Sequence, residues 1–330
     1  MSGLDEKSAT FFDDKSVLIT GGTGSFGKEF VKTILATKVR RVVVFSRDEL
    51  KQWEMKQLYP DEERLRFFIG NVRNPTRLHR AFDGVDIVVH AAALKHIAAA
   101  EYNPFEAVHT NIIGAENVIN AAIDQGVERV IALSTDKASG PVNLYGATKL
   151  VADKLFVAGN AYAGGKRTRM AVVRYGNVLG SRGSVIPLFK KLASTGRLPI
   201  TDARMTRFWI SLPNAVDLVR VCAAHMVGGE IFVPKLPSMR ITDLAEAIAP
   251  GAQHDIIGIK PGEKLHEELI SESAARHTVD VGPHYVIQPD VEWWEHELEG
   301  DPLPEGFSYT SDNNEDWLSI EQLRTMIESL

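Results

Sequence analysis

Through the first half of the chain, short apolar runs alternate with stretches of helical spacing. Residues 16–20, 41–45, 65–69, 86–90, 130–134 and 170–175 are near-continuous apolar runs, the pattern of strands covered on both faces. Between them, 27–36, 49–58, 76–82, 104–125 and 145–162 repeat apolar residues at helical intervals. Alternation of this kind predicts an α/β fold built on a doubly wound parallel sheet. Gly126, just before Val127, supplies the left-handed exit that the 104–125 helix needs.

After Tyr175 the rhythm breaks. Helices are predicted over 186–193, 213–227 and 242–249, and strands over 230–233 and 255–259. This reads as a smaller part interleaved with returns to the sheet. The acidic, turn-rich stretch 290–315 is expected to run over the surface, and Ser319-Ile-Glu-Gln322 resembles a capping box opening a last helix. The division expected is 13–180 for nucleotide binding and catalysis, 181–290 mainly for substrate, and 291–330 as the tail.

Composition narrows the class. At 330 residues, with 44% hydrophobic and 24% charged, the chain has an ordinary globular make-up. A net charge of -6 gives no general attraction to nucleic acid or anionic membrane. Cys222, the single cysteine, excludes an intrachain disulfide and reads as a buried structural thiol. Without a basic start and apolar run at the N-terminus, or a long apolar span, a cytoplasmic protein is expected, with no metal site.

Gly21, Gly24 and Gly27 form a GxxGxxG turn directly after the first strand. Missing side chains there allow a tight turn and close backbone approach to a pyrophosphate, which the following helix faces with free N–H groups. This makes the sheet Rossmann-like. The second strand ends in Ser46-Arg47, with Lys51 a turn later. A hydroxyl and two cations suit a 2′-phosphate, so NADP is expected over NAD. Asp48 is the counter-signal, better placed as a helix cap. Asn71-Val72 after the third strand should lie beside adenine, and Ala91-Ala92-Ala93 after the fourth keeps backbone close to the cofactor.

Two tyrosines have a lysine four residues on, Tyr145/Lys149 and Tyr162/Lys166. That spacing puts both groups on one helix face, where the ammonium favours tyrosinate. Gly164-Gly165 breaks the second pair, which reads as a helix end at the surface. The first follows a strand ending Ser134-Thr135, completing a Ser/Thr–Tyr–Lys arrangement that removes a proton from an alcohol. Asp136-Lys137 comes next. An acid and a base beside a hydride site are what loss of water across C5 and C6 of a hexose requires.

These residues resemble the extended short-chain dehydrogenase/reductase superfamily, and within it the inverting UDP-N-acetylglucosamine 4,6-dehydratases that open pseudaminic acid biosynthesis. The likeness spans about residues 14–287 and rests on the segments 20–27, 45–49, 92–96, 133–138, 143–149, 173–178, 180–185, 205–210 and 261–267. It implies that Tyr145, assisted by Lys149, takes the C4 hydroxyl proton as hydride leaves C4. Lys137, held neutral by burial and nearby cations, then removes the C5 proton, while Asp136 protonates the departing C6 hydroxyl. With Thr135 these form the expected catalytic set. The implied cofactor set is Gly21, Thr23, Gly24, Ser25, Phe26, Gly27, Ser46, Arg47, Lys51, Asn71, Val72, Ala91, Ala92, Ala93, Lys95 and Val178, with Tyr145 and Lys149. Lys95, Asn177, Arg182, Arg207, Lys260 and Glu263 are the implied contacts to UDP-N-acetylglucosamine. The likeness also implies a homo-oligomer, of which a hexamer is one form. Departures from the family pattern are Asn71 and Asn74 for aspartates, and Lys260 for an arginine, which keeps charge but loses the bidentate fork on phosphate. The rivals are an NADP-dependent UDP-sugar 4-epimerase or reductase on the same fold, and a non-catalytic NADP-binding module that has no use for Tyr145 and Lys149 in register.

Overall fold

A computed structural model describes residues 5–180, 185–294, 296 and 298–328. Six strands form where the apolar runs lie: β1 Ser16–Thr20, β2 Arg41–Ser46, β3 Leu65–Ile69, β4 Ile87–His90, β5 Arg129–Thr135 and β6 Arg169–Tyr175. They run in the order β3-β2-β1-β4-β5-β6, all in parallel register. Ile231–Pro234 extends the parallel set beside β6, and His284–Ile287 then adds antiparallel to it. Val17, Leu18, Ile19, Val88, Ile131 and Val172 are wholly buried. Helices on both faces of the sheet explain why these strands carry no alternation.

The chain leaves β1 toward β2 and β3, then crosses back to place β4 on the other side of β1. Such a switch point opens a crevice at the carboxyl ends of β1 and β4. Gly21 there has φ +68°, and an added Cβ would lie 2.9 Å from Ala92 Cα. The two strand ends therefore touch through bare backbone.

Helices fill the intervals, with Ser25–Leu35 after β1, Glu49–Gln57 after β2 and Pro75–Phe82 after β3. Gly126 caps Gly114–Gln125 in the left-handed region, as the sequence required. The single helix expected over 104–125 is divided, however. Pro104–Val108 and Gly114–Gln125 are joined by one π turn, His109–Ile113. The strand expected over 255–259 is found at Gln253–Ile256, paired with Arg197–Ile200. Beyond the sheet, Phe189, Leu198, Met205, Trp209, Leu244 and Leu323 pack into a second core. Ile320–Glu328 opens on a reciprocal box, Ser319 N donating to Gln322 Oε1 at 2.8 Å and Gln322 N to Ser319 Oγ at 3.2 Å. Among the described residues no helix is long and apolar enough to cross a membrane, and no cluster of metal-ligating side chains occurs.

Candidate active site

One cleft of about 590 Å³ follows the carboxyl ends of the strands. It is lined by Gly21, Thr23, Gly24, Ser25, Phe26 and Gly27, by Ser46, Arg47 and Lys51, and by Asn71, Val72, Ala91, Ala92, Ala93 and Lys95. Thr135, Asp136, Lys137, Tyr145, Lys149, Asn177 and Val178 continue the same lining. Residues far apart in sequence thus meet on one surface. Arg207, Lys260 and Glu263 are not part of that lining, and Arg182 lies outside the described residues.

The glycine turn has the shape a dinucleotide needs. A Cβ on Gly27 would sit 2.3 Å from the Gly22 carbonyl oxygen, and one on Gly24 3.3 Å from that of Gly21. Gly24 stands at the helix start without a side-chain cap, so the first-turn N–H groups face the cleft for an anion. At the end of β2, Asp48 caps Glu49–Gln57 by accepting from Lys51 N at 3.0 Å, and its carboxylate also pairs with Lys51 Nζ. Ser46 Oγ accepts from Gln52 at 3.0 Å. Of the expected phosphate contacts, Arg47 is the exposed cation on the rim, while Lys51 already has a counter-charge.

Strand alternation separates Ser134 from Thr135. Ser134 Oγ donates to Asp153 at 2.7 Å, and Arg174 donates to the same carboxylate oxygen at 3.1 Å, behind the cleft. Thr135 Oγ1 donates to Asp136 Oδ1 at 2.8 Å, so it is the hydroxyl on the acid–base side. A short turn, Asp136–Ala138, follows, and the Leu144–Ala163 helix starts directly against it. Asn143 caps that helix by accepting from Gly146 N at 2.8 Å, and a Cβ on Gly146 would lie 2.2 Å from the Lys137 carbonyl oxygen. Only glycine permits this approach. It sets Tyr145 and Lys149 against Asp136 and Lys137.

Lys137 Nζ stands 3.0 Å from Asp136 Oδ1 and 3.1 Å from Glu267 Oε1. Arg207 Nε lies 3.6 Å from the same Glu267 oxygen, and its guanidinium donates to the carbonyls of Thr206, Lys264 and Leu265. Two carboxylates and two cations thus balance in a buried group. Burial pushes the Lys137 ammonium down, but Asp136 and Glu267 outweigh it and hold its pKa above the ordinary value. The expectation of a lysine kept neutral by burial and cations therefore fails for the resting site, because two carboxylates face it and Arg207 opposes them only weakly. Burial raises the Asp136 pKa, and the charge of Glu267 adds to this. Glu267 is held below its usual value: burial opposes this, and Lys137 and Arg207 prevail.

Burial raises Tyr145 to about 12, and among the cations acting on it Lys137 opposes this most. Lys149 is itself lowered by burial. The cation expected to favour tyrosinate, Lys149, is thus less prominent than Lys137. The other pair stands apart, with Tyr162 82% exposed and Lys166 bonded to the Ile123 carbonyl.

Asp136 Oδ2, Glu267 Oε2, Glu263 Oε2 and Asn177 Oδ1 are buried without a hydrogen-bond partner, a costly state that a bound polar ligand relieves. Glu267 lies inside the 261–267 segment but carries no signal of its own in sequence, since its partners are distant. Asn111, on the π turn, was equally silent. Its amide donates to the Leu94 carbonyl and Thr148 Oγ1, both at 3.0 Å, and accepts from Leu94 N at 2.8 Å. It ties the loop after β4 to the tyrosine helix.

A family model described as polysaccharide biosynthesis protein matches residues 17–289. The chain belongs to the polysaccharide biosynthesis protein family. It is 53% identical, over 96% of its length and 98% of the relative's, to UDP-N-acetylglucosamine 4,6-dehydratase (inverting) of Campylobacter jejuni. It is also 40% identical to UDP-glucose 4-epimerase of Rickettsia felis, covering 97% of both chains. Among solved structures, Pen from Bacillus thuringiensis superposes with a TM-score of 0.89 at 38% identity, covering 97% of this chain and 100% of that one. A dTDP-glucose 4,6-dehydratase from Streptomyces venezuelae, solved with NAD bound, gives 0.69 at 24%, covering 76% of this chain and 86% of its own. That likeness shows the fold alone, a Rossmann-like α/β sheet.

Proposed function

We propose that this chain is a lyase that oxidises C4 of UDP-N-acetylglucosamine, removes water across C5 and C6 and inverts C5, giving UDP-2-acetamido-2,6-dideoxy-β-L-arabino-hexos-4-ulose, the entry compound of pseudaminic acid synthesis. The observation that carries the reading is the pair of buried Asp136 and partly exposed Lys137 beside Tyr145, in a cleft that also holds the glycine turn. The name of the Campylobacter relative, at 53% identity over nearly the whole chain, supports it.

The glycine turn and Arg47 would hold NADP, which would supply the hydride acceptor for C4 and the source of hydride for C6. Tyr145, assisted by Lys149, takes the C4 hydroxyl proton as tyrosinate, the form that the Lys137 charge favours, with Thr135 holding the neighbouring Asp136 carboxyl. The resulting ketone acidifies C5–H. For the elimination, Lys137 must be neutral and Asp136 protonated. The resting ion pair, 3.0 Å apart, differs from that state only by one proton moved from nitrogen to oxygen. No proton need enter from solvent; the raised Asp136 pKa favours the transfer and the raised Lys137 pKa opposes it. Lys137 then removes the C5 proton, Asp136 gives its proton to the leaving C6 hydroxyl, and as hydride adds at C6 a solvent-derived proton adds to C5 on the opposite face. Asn177, with its unpartnered oxygen, and Lys95 line the cleft and are proposed to hold the sugar nucleotide; the same role for Arg182, Arg207, Lys260 and Glu263 rests on the family resemblance alone.

Exposed Tyr102, Phe105 and Val151, on helices that pack side by side, support a homo-oligomer. A reaction on soluble UDP-sugar and NADP is assigned to the cytoplasm.

The likeness to a UDP-glucose 4-epimerase favours a second reading, epimerisation at C4. Mass spectrometry after incubation with UDP-N-acetylglucosamine separates the two. Dehydration predicts a product lighter by one water, whereas a product of unchanged mass overturns it.

A further inference from the structure

The segment after the sheet returns to the active site. Tyr309–Thr310 pairs antiparallel with Glu268–Ile270, immediately next to Glu267. Ser311, fully buried, closes a two-way link: its N donates to the Glu267 carbonyl at 2.8 Å, and its Oγ accepts from Glu267 N at 2.9 Å. Thr206 Oγ1 joins Ser311 Oγ at 2.7 Å and His266 Nδ1 at 2.8 Å. Arg207, the next residue, approaches the Glu267 carboxylate. Segment 309–311 therefore holds the main chain of Glu267 and Arg207 approaches its buried carboxylate, which reaches Lys137 at 3.1 Å. Loop 262–268 is pinned on the other side as well. Asn143 donates to the Gly262 carbonyl at 2.7 Å, and Ser139 donates to Glu268 at 2.6 Å.

We infer that Glu267 is a positioning residue of this reaction, and that Ser311 and Arg207 seat it so that it fixes the place and charge of Lys137. The inference rests on the dehydratase reading and deepens it. A carboxylate on each side of Lys137 leaves two acceptors for one ammonium. Glu267 has Arg207 as a second counter-charge, with Lys264 acting on it too, and stays ionised. Among the described residues, Asp136 has no cation but Lys137 within salt-bridge distance. So Glu267 can keep the Lys137 side chain in place while its proton passes to Asp136, which delivers it to the leaving group. The charged and titratable groups facing Lys137 are Asp136 from its own turn, Glu267 from the 262–268 loop, Arg207 from its strand and Tyr145 from the helix. Asp153 acts on Tyr145 and Lys149 from behind.

The test is the titration of Lys137, followed by carbon NMR at its Cε in the full chain, with the pH profile of dehydration measured alongside. Glu267→Gln removes one of two adjacent negative charges, so the Lys137 midpoint should fall by about one unit or more. Because the working pair carries one proton shared between Lys137 and Asp136, the rate should fall as that proton is lost at high pH, and the midpoint of that fall should move down by the same amount. Ser311→Ala loosens the seat but keeps the charge, so it should move both midpoints in the same direction by less. If Glu267→Gln does not fold, Glu267→Asp, which retracts the charge, should give the intermediate shift. Activity lost evenly at every pH with the Lys137 midpoint unmoved would overturn the inference, since that is what a merely structural residue does. A shifted Lys137 midpoint in a wild-type chain that does not dehydrate UDP-N-acetylglucosamine would overturn the functional reading and leave the link from Glu267 to Lys137 standing.

Discussion

Each functional side chain in the cleft is set by one or two neighbours. Tyr145 depends on a glycine contact beneath it, Lys137 on two carboxylates, and Asp136 on a threonine and a lysine. Removing the phenolic hydroxyl by Tyr145→Phe should lower kcat by roughly 10²–10⁴-fold, the usual worth of an acid–base group. Affinity for the nucleotide should stay the same by calorimetry. Asp136→Asn keeps the shape but cannot deliver the proton to C6. Its dehydration rate should fall at least about 100-fold, while reduced-nicotinamide fluorescence still appears on mixing with substrate. A loss of both signals would place Asp136 before C4 oxidation. Arg47→Ala should weaken NADP binding about tenfold through one lost charge-assisted contact and leave NAD binding unchanged. Equal weakening of both would remove the phosphate assignment. Single residues were the most legible part of the chain where they sat in short motifs. Tyr145, Lys149 and the glycines are local in sequence, whereas Glu267 acts on a residue 130 positions earlier and no spacing rule reaches that far.

At the scale of elements, the contact between the Leu144–Ala163 helix and the Asp136–Ala138 turn joins fold to chemistry. Gly146→Ala would place a methyl 2.2 Å from a main-chain oxygen, so helix or turn must shift. Overpacking of this kind costs about 1–3 kcal/mol. It should show as a lower Tm and a kcat reduced far more than nucleotide affinity. An unchanged kcat would show that this approach does not set the tyrosine. The elements themselves were readable because buried strands announce themselves as apolar runs. The π turn at His109–Ile113 was not, since one inserted residue preserves helical spacing on both sides. Its cause is tertiary: Asn111 must reach both Leu94 and Thr148, and such bulges recur at functional sites. The shift of a strand from 255–259 to Gln253–Ile256 has a similar origin. Pairing with Arg197–Ile200 decided it, and nothing local distinguishes the two registers.

For the whole molecule, the parallel doubly wound sheet and the nucleotide cleft followed from strand rhythm and the glycine turn, whereas the strand order and the return of the 309–311 segment to the active site did not. That segment is polar and turn-rich, and its role lies in main-chain and Ser311 bonds that leave no pattern. Stability should also respond to pH through one buried group at the heart of the sheet. His90 is bonded to Thr20 Oγ1 at 2.8 Å and lowered to about 3 from 6.5, first by burial and then by Lys149. A folded-state pKa below the unfolded one means the unfolded chain binds more protons between those values. The contribution is therefore complete above pH 6.5 and lost progressively as pH falls toward 3. Its size is of order a few kcal/mol. Tm measured from pH 7 to 4 should fall less steeply in His90→Asn than in the wild type. Parallel curves would contradict the assignment. The account as a whole stands on the pair Asp136–Lys137 acting at C5 and C6. The most direct measurement is NMR of UDP-N-acetylglucosamine incubated with the purified protein in deuterated water. The prediction is a new C6 methyl, a ketone at C4, deuterium at C5 and inverted C5 configuration. A sugar that keeps its C6 hydroxyl, or a C5 centre of retained configuration, would contradict it.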